Sequence, residues 1–111
     1  MRLKGLKILS GRAFIHYQRN SSSYRSGAIL LLVSRGTVPG PTVGFIVTRK
    51  VGSAVRRNKV RRKLRAVVVS LCSLGQLGNR SYILVPTPSA VFSDFTMIRD
   101  DVLNCLRKAS L

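Results

Sequence analysis

Arg57, Arg61 and Arg65 recur at every fourth position, a spacing that aligns three guanidinium groups along one side of a helix, about 6 Å apart. Such a row suits phosphates, because each guanidinium is planar, always charged and able to grip two oxygens at once. Arg62 and Lys59 extend the charge round the exposed side. Nine of the chain's 20 basic residues fall in this one stretch: Arg49, Lys50, Arg56, Arg57, Lys59, Arg61, Arg62, Lys63 and Arg65. A basic run is ordinarily a solvated face that keeps a protein soluble. Here the density, the bias to Arg and the lack of any acid along the helix point instead to a polyanion. Asn58, set between Arg57 and Lys59, is a mediocre helix former; its amide can meet a sugar, a base edge or a metal-bound water, which a cation does less well.

The groups that would cleave a phosphodiester are scarce. Such chemistry needs carboxylates to hold metal ions, or a His acting as base. The chain has one His, His16, and three acids, Asp94, Asp100 and Asp101, with no Glu. Asp100 and Asp101 are adjacent, so on a helix they diverge by about 100° and do not converge on one ion. His16 reads as a surface or packing residue, and Cys72 and Cys105, which follow no metal-ligand spacing, read as buried structural thiols. No catalytic residue, metal site or protein-bound cofactor is expected.

The charge balance sets the partner class. With 20 basic and 3 acidic residues the 111-residue chain carries a formal charge of +17, and residues 1–93 hold no carboxylate side chain. A soluble domain normally mixes its signs, because like charges repel. The missing compensation is expected from outside, from nucleic acid rather than a membrane. The longest apolar runs fall far short of the roughly 18 residues that span a bilayer, and the N-terminus lacks the apolar stretch and cleavage site of a signal peptide. A single domain over residues 1–111, located in the cytoplasm, is expected.

The elements that must position the basic row follow from periodicity. Ser10 is placed to cap an N-terminal helix through Arg19, with Phe14 and Tyr17 on one side; Asn20 to Ser23 breaks it. Ala28 to Ser34 is almost wholly apolar and reads as a buried strand. A Pro- and Gly-rich loop then leads to a second strand, Val43 to Arg49, expected to pair with the first as a hairpin. From Ser53 to Cys72 the apolar positions Val60, Leu64, Val67, Val68 and Leu71 recur at helical spacing, so one stripe packs on the sheet. Val67-Val68-Val69 weakens its end, and Gly75, Gly78 and Asn79 terminate it. A third strand, Ser81 to Val85, stops at Pro86. A last helix starts near Ser93 as cap, with a stripe of Phe95, Ile98, Val102, Cys105 and Leu106.

The run from Gly44 to Arg65 resembles the signature of the bacterial ribonuclease P protein. In that family a strand ends in a Ser/Thr-Lys/Arg-Lys-Val/Ile-Gly turn, here Thr48-Arg49-Lys50-Val51-Gly52. Ala-Val and one free position follow, then Arg-Asn-Arg, two free positions, Arg, and a further Arg three or four residues on. Here these are Ala54-Val55, Arg57-Asn58-Lys59, Arg62 and Arg65; Lys59 keeps the charge of the third triplet residue but not its fork. The resemblance implies an α+β fold: a single-domain α/β sandwich with a central, mostly antiparallel sheet and a left-handed βαβ crossover through the basic helix. It implies that Arg49, Lys50, Arg56, Arg57, Asn58, Lys59, Arg61, Arg62 and Arg65 bind RNA. A cleft between the N-terminal helix and the sheet would hold the 5′ leader of precursor tRNA, with Phe14, Tyr17, Leu30, Leu32 and Tyr82 as its candidates. The partners implied are the catalytic RNA subunit and precursor tRNA, with no protein partner required. Mg²⁺ and the chemistry would come with the RNA, so that the complex is the tRNA 5′-maturation endoribonuclease. The alternative is a basic ribosomal protein that binds structured ribosomal RNA. A DNA-binding regulator is disfavoured, because the basic helix follows a strand through a tight turn, with no helix-turn-helix pair.

Overall fold

A computed structural model describes residues 7–8, 22–35 and 40–109. The predicted N-terminal helix, with Ser10, Phe14, His16 and Tyr17, lies outside the described residues, as does the middle of the Pro-rich loop. Five strands form one sheet: β1 (Lys7–Ile8), β2 (Ser22–Ser26), β3 (Ile29–Arg35), β4 (Thr42–Phe45) and β5 (Arg80–Pro86). Their order is β1-β4-β5-β3-β2, with β3 antiparallel to both β2 and β5, and β4 parallel to both β1 and β5. The antiparallel ladders are the longer ones, and the sheet is that of an α+β fold.

The predicted hairpin is corrected. β3 and β4 do not pair with each other; β5 lies between them. Both strands are interior to the sheet, so each must pair its N–H and C=O groups along two edges, and β5 satisfies one edge of each. The hairpin is formed instead by β2 and β3, with Ser26 opposite Ile29 across the two-residue loop Gly27-Ala28. Gly27 sits at φ +52°, the left-handed conformation that such loops ask of glycine. Ser22-Ser23-Tyr24-Arg25-Ser26 lacks the β-branched residues that announce a strand, because it is an edge strand with only Tyr24 packed on the core.

Between β4 and β5 the chain makes a 3₁₀ turn, η1 (Arg49–Val51), and helix α1 (Ala54–Ser73). All five predicted stripe positions of α1 are buried: Val60, Leu64, Val67, Val68 and Leu71. The valine run stays helical because Val67 and Val68 gain more from core burial than their propensity loses. The helix stops in a Schellman turn, in which the Gly75 N–H donates to the Cys72 carbonyl at 3.1 Å and the Gln76 N–H to that of Leu71 at 2.9 Å, with Gly75 at φ +71°. After β5 come a second 3₁₀ turn, η2 (Pro88–Phe92), and helix α2 (Phe95–Ala109). The cap of α2 is Asp94, not Ser93. Asp94 Oδ1 accepts from the Met97 N–H at 2.9 Å, whereas Ser93 is buried at the end of η2 and its N–H donates to Ala90. The carboxylate outcompetes the hydroxyl because it also meets the positive end of the helix dipole. In the predicted stripe of α2, Ile98, Val102 and Cys105 are buried and Leu106 is partly so, but Phe95 is 38% exposed.

The two faces of the sheet carry separate apolar clusters. Ile29, Leu31, Val33, Val43, Tyr82 and Leu84 join the stripes of α1 and α2 in the main core. Leu32 and Ile83, with Leu30, Ile46 and Val85, form a second cluster on the opposite face.

Cys105 is buried in the core and Cys72 is partly exposed, both as free thiols. Burial pushes the Cys105 thiol up; the Lys108 ammonium opposes this and the Asp101 carboxylate adds to it. With the folded pKa above the unfolded one, the stabilisation from keeping this thiol neutral is complete below the ordinary thiol range of about pH 8.5 and is lost as pH rises through the raised value. A Cys105→Val variant is therefore expected to close its stability gap to the parent between pH 7 and pH 10 in urea melts. Iodoacetamide should label Cys72 well before Cys105 in the native protein.

Candidate nucleic-acid interface

The turn that launches α1 also gathers charge. The Gly52 N–H donates to the Arg49 carbonyl at 3.1 Å, closing η1. Gly52 then takes φ +135°, and a Cβ there would lie 2.8 Å from Cδ of Arg56. Glycine thus answers two demands at once, a backbone angle L residues avoid and the passage of the Arg56 side chain. Ser53 caps the helix, its Oγ accepting from the Arg56 N–H at 3.4 Å. Arg49 and Lys50, both exposed, are thereby set beside the first turn of α1.

Along α1, Arg56, Asn58, Lys59, Arg61, Arg62 and Arg65 are exposed and Arg57 is half-buried. At 100° per residue the row Arg57, Arg61, Arg65 borders the buried stripe on one side, Lys59 and Lys63 border it on the other, and Arg62 points outward between them. Asn58 Oδ1 accepts from Arg61 Nη1 at 3.1 Å, so the amide braces one guanidinium of the row. Arg57 Nε is buried without a hydrogen-bond partner among the described residues. The only ion pair among the described residues is Arg99–Asp100 on α2, at 3.4 Å. Among the described residues the basic row therefore has no carboxylate to neutralise it.

Lys63 has a different task. Its Nζ donates to the Val91 carbonyl at 3.0 Å and to the Ser93 carbonyl at 2.8 Å, tying α1 to η2. Only its helical angle, on the side away from the Arg row, sets it apart from its basic neighbours in sequence. A Lys63→Met variant is expected to lose about 1–3 kcal/mol from two charge-assisted bonds, lowering Tm by several degrees. Arg62→Ala, on the same helix and without a hydrogen bond among the described residues, should shift Tm by no more than about 2–4 °C; a calorimetric comparison of the two checks it.

The leader-cleft candidates divide. Leu30 and Leu32 share the sheet face away from α1 and α2, beside Ile83 and Val85; Leu30 is half-buried, but Leu32 is corrected as an open contact, since it is buried with Ile83 in the cluster on that face. Phe14 and Tyr17 lie outside the described residues. Tyr82 is corrected: it is 4% exposed, sits in the main core on the helix-covered face, and its hydroxyl accepts from the Gly78 N–H at 3.1 Å. Alternation along β5 makes this unavoidable, since Ile83 and Val85 occupy the other face. Among the described residues no helix is long and apolar enough to cross a membrane.

Comparison with known proteins agrees with this architecture. The chain is 40% identical over 107 residues to the ribonuclease P protein component of Thermus aquaticus, covering 96% of this chain and 64% of that one. It is 31% identical over 98 residues to that of Chloroflexus aurantiacus, covering 88% and 73%. The solved RNase P protein of Staphylococcus aureus superposes with a TM-score of 0.80 at 19% identity, covering 93% of this chain and 94% of that one. That of Thermotoga maritima superposes with a TM-score of 0.77 at 23% identity, covering 87% and 91%. The family model for Ribonuclease P matches residues 4–110, and the chain belongs to that protein family.

Proposed function

We propose that this chain is the protein subunit of a ribonuclease P, binding the catalytic RNA and the 5′ leader of precursor tRNA so that the leader is removed and the mature 5′ end is formed. The observation that carries this reading is the uncompensated row on α1, an array of exposed cations held rigid by a helix anchored between two neighbouring strands. Arg49, Lys50, Arg56, Arg57, Asn58, Lys59, Arg61, Arg62 and Arg65 face the RNA in this reading, and the single-stranded leader runs along the opposite sheet face, where the half-buried Leu30 is the side chain within its reach and the buried Leu32 supports that face from beneath. Bases can stack or pack on such a surface without sequence readout. Catalysis is assigned to the RNA and the Mg²⁺ it brings; the protein contributes charge neutralisation and substrate affinity.

The test is cleavage of precursor tRNA at low Mg²⁺ by a bacterial ribonuclease P RNA, with and without this protein. Added protein is expected to raise the rate, and Arg57→Ala combined with Arg61→Ala to abolish the rise. Folded protein that gives no stimulation, with RNA active alone at high Mg²⁺, would remove this reading and put a basic binder of ribosomal RNA in its place.

A further inference from the structure

Phe92 is the most exposed large apolar side chain among the described residues, at 85%. A single exposed apolar residue needs no explanation, but this one is not loosely held. The carbonyls on either side of it, of Val91 and Ser93, are both gripped by the Lys63 ammonium, and η2 packs against η1 and α1. A rigid backbone thus holds an open aromatic ring at the border of the basic surface. Lys59, one helical turn before Lys63 on the same side of α1, is exposed, as are Arg49 and Lys50 in the adjoining η1.

Beyond the ring lies an open groove of about 510 Å³, lined by Phe92, Met97, Asp100 and Asp101 among others. Met97 is 53% exposed, and the Asp100 side chain is 59% exposed. The lining is therefore mainly apolar, with two carboxylates, at the edge of a strongly cationic surface. Phosphates are repelled from the groove and attracted to α1 and η1. A flat, uncharged ring attached to a phosphate backbone satisfies both tendencies, with the ring on Phe92 and the phosphates on the cations. Asp101 is held by the Ala28 N–H, but Asp100, whose Oδ1 meets Arg99, keeps its second oxygen for an exocyclic amine of such a ring, the pairing by which Asp accepts from a cytosine amino group.

We propose that Phe92 is a stacking platform for one unpaired nucleobase of the bound RNA, with Met97 and the carboxylate-lined groove beside it. This surface is distinct from both the Arg57–Arg61–Arg65 row and the Leu30–Leu32 face, and it rests on the reading of α1 as an RNA-binding helix. Lys63 fixes the backbone that carries the ring, through the Val91 and Ser93 carbonyls, which lowers the ordering entropy that binding would otherwise lose.

The chain contains no Trp, so Phe92→Trp creates a single tryptophan at the site, which red-edge excitation reads without the tyrosines. Its fluorescence is expected to be quenched when RNA binds. Quenching by the catalytic RNA alone places the base in that RNA; quenching only after precursor tRNA with a long leader is added places it in the substrate. Either outcome supports the platform. Phe92→Ala is expected to lower affinity for the same RNA about 5- to 100-fold with Tm unchanged, since the ring buries little. Parent-like affinity of Phe92→Ala with an unquenched Phe92→Trp, while the parent binds RNA, would overturn the platform and leave the RNA-binding reading standing; the groove would then suit a cationic protein segment. A parent protein that binds no RNA at all would overturn both.

Discussion

Substituting Ala for both Arg61 and Arg65 is expected to weaken the binding of catalytic RNA proposed for α1 about 100-fold near 0.1 M salt. Each removed guanidinium forfeits a charge-assisted hydrogen bond, and each phosphate left without its cation keeps the counterions that binding would have released. The slope of log K against log salt should therefore become shallower by about 1.5–2. Because Arg61 is braced by Asn58 at 3.1 Å, Asn58→Ala should reproduce a fraction of the Arg61 effect while changing the slope by less than a whole phosphate's share. Paired Lys substitutions at Arg61 and Arg65 should keep the parent slope yet recover only part of the affinity, since an ammonium supplies charge without the fork. Filter binding across a salt series measures all of these. An unaltered slope in the double Ala variant would show that the row does not meet phosphates.

The largest expected effect on stability comes from Gly27→Ala. Gly27 holds φ +52° in the β2–β3 loop, and a Cβ there would collide with the Asp101 carboxylate. That carboxylate is committed, its Oδ2 accepting from the Ala28 N–H at 3.0 Å. Alanine thus meets backbone strain of about 1–3 kcal/mol and displaces a hydrogen bond whose loss costs a further 1–3 kcal/mol or so. The expected loss of about 2–6 kcal/mol is a large share of the roughly 5–15 kcal/mol that holds an ordinary domain together. A thermodynamic cycle isolates the cause. Asp101→Ala removes both the bond and the obstacle, so the double variant should be less destabilised than the two singles summed. Strict additivity in urea melts would mean that the carboxylate and the glycine do not meet.

Legibility from sequence was uneven for physical reasons. The basic helix was plain because two independent signals coincide there, a 3.6-residue apolar period and a glycine stop; the Ser53 cap emerges only with the structure. The same region carries the family pattern, so the cationic row could be named residue by residue. Strand pairing was not plain, since β3 and β4 are apolar on both faces and periodicity is silent about which neighbour each takes. β2 was missed because an edge strand is permitted serines that a central one is not. Tyr82 was misplaced for want of register, which decides the face of every side chain on β5 at once. Lys63 looks like its basic neighbours until η2 is folded against it, because its partners are main-chain carbonyls 28 and 30 residues away.

The place of β5 in the sheet also bears on the order of events as the chain is made. β5 pairs with β3 on one edge and β4 on the other, yet it follows both in sequence and comes after the whole of α1. Until Arg80–Pro86 leaves the ribosome, β3 and β4 have no partner in common and the stripe of α1 has no finished sheet to cover. For most of its synthesis the nascent chain is a polycation with open strand edges, and closure of the sheet is a late, long-range event, the kind that slows folding. A nascent chain stalled before Arg80 should be protease-sensitive throughout. Extending it past α2 and clear of the exit tunnel should protect β3, β4 and α1 together, in a single step.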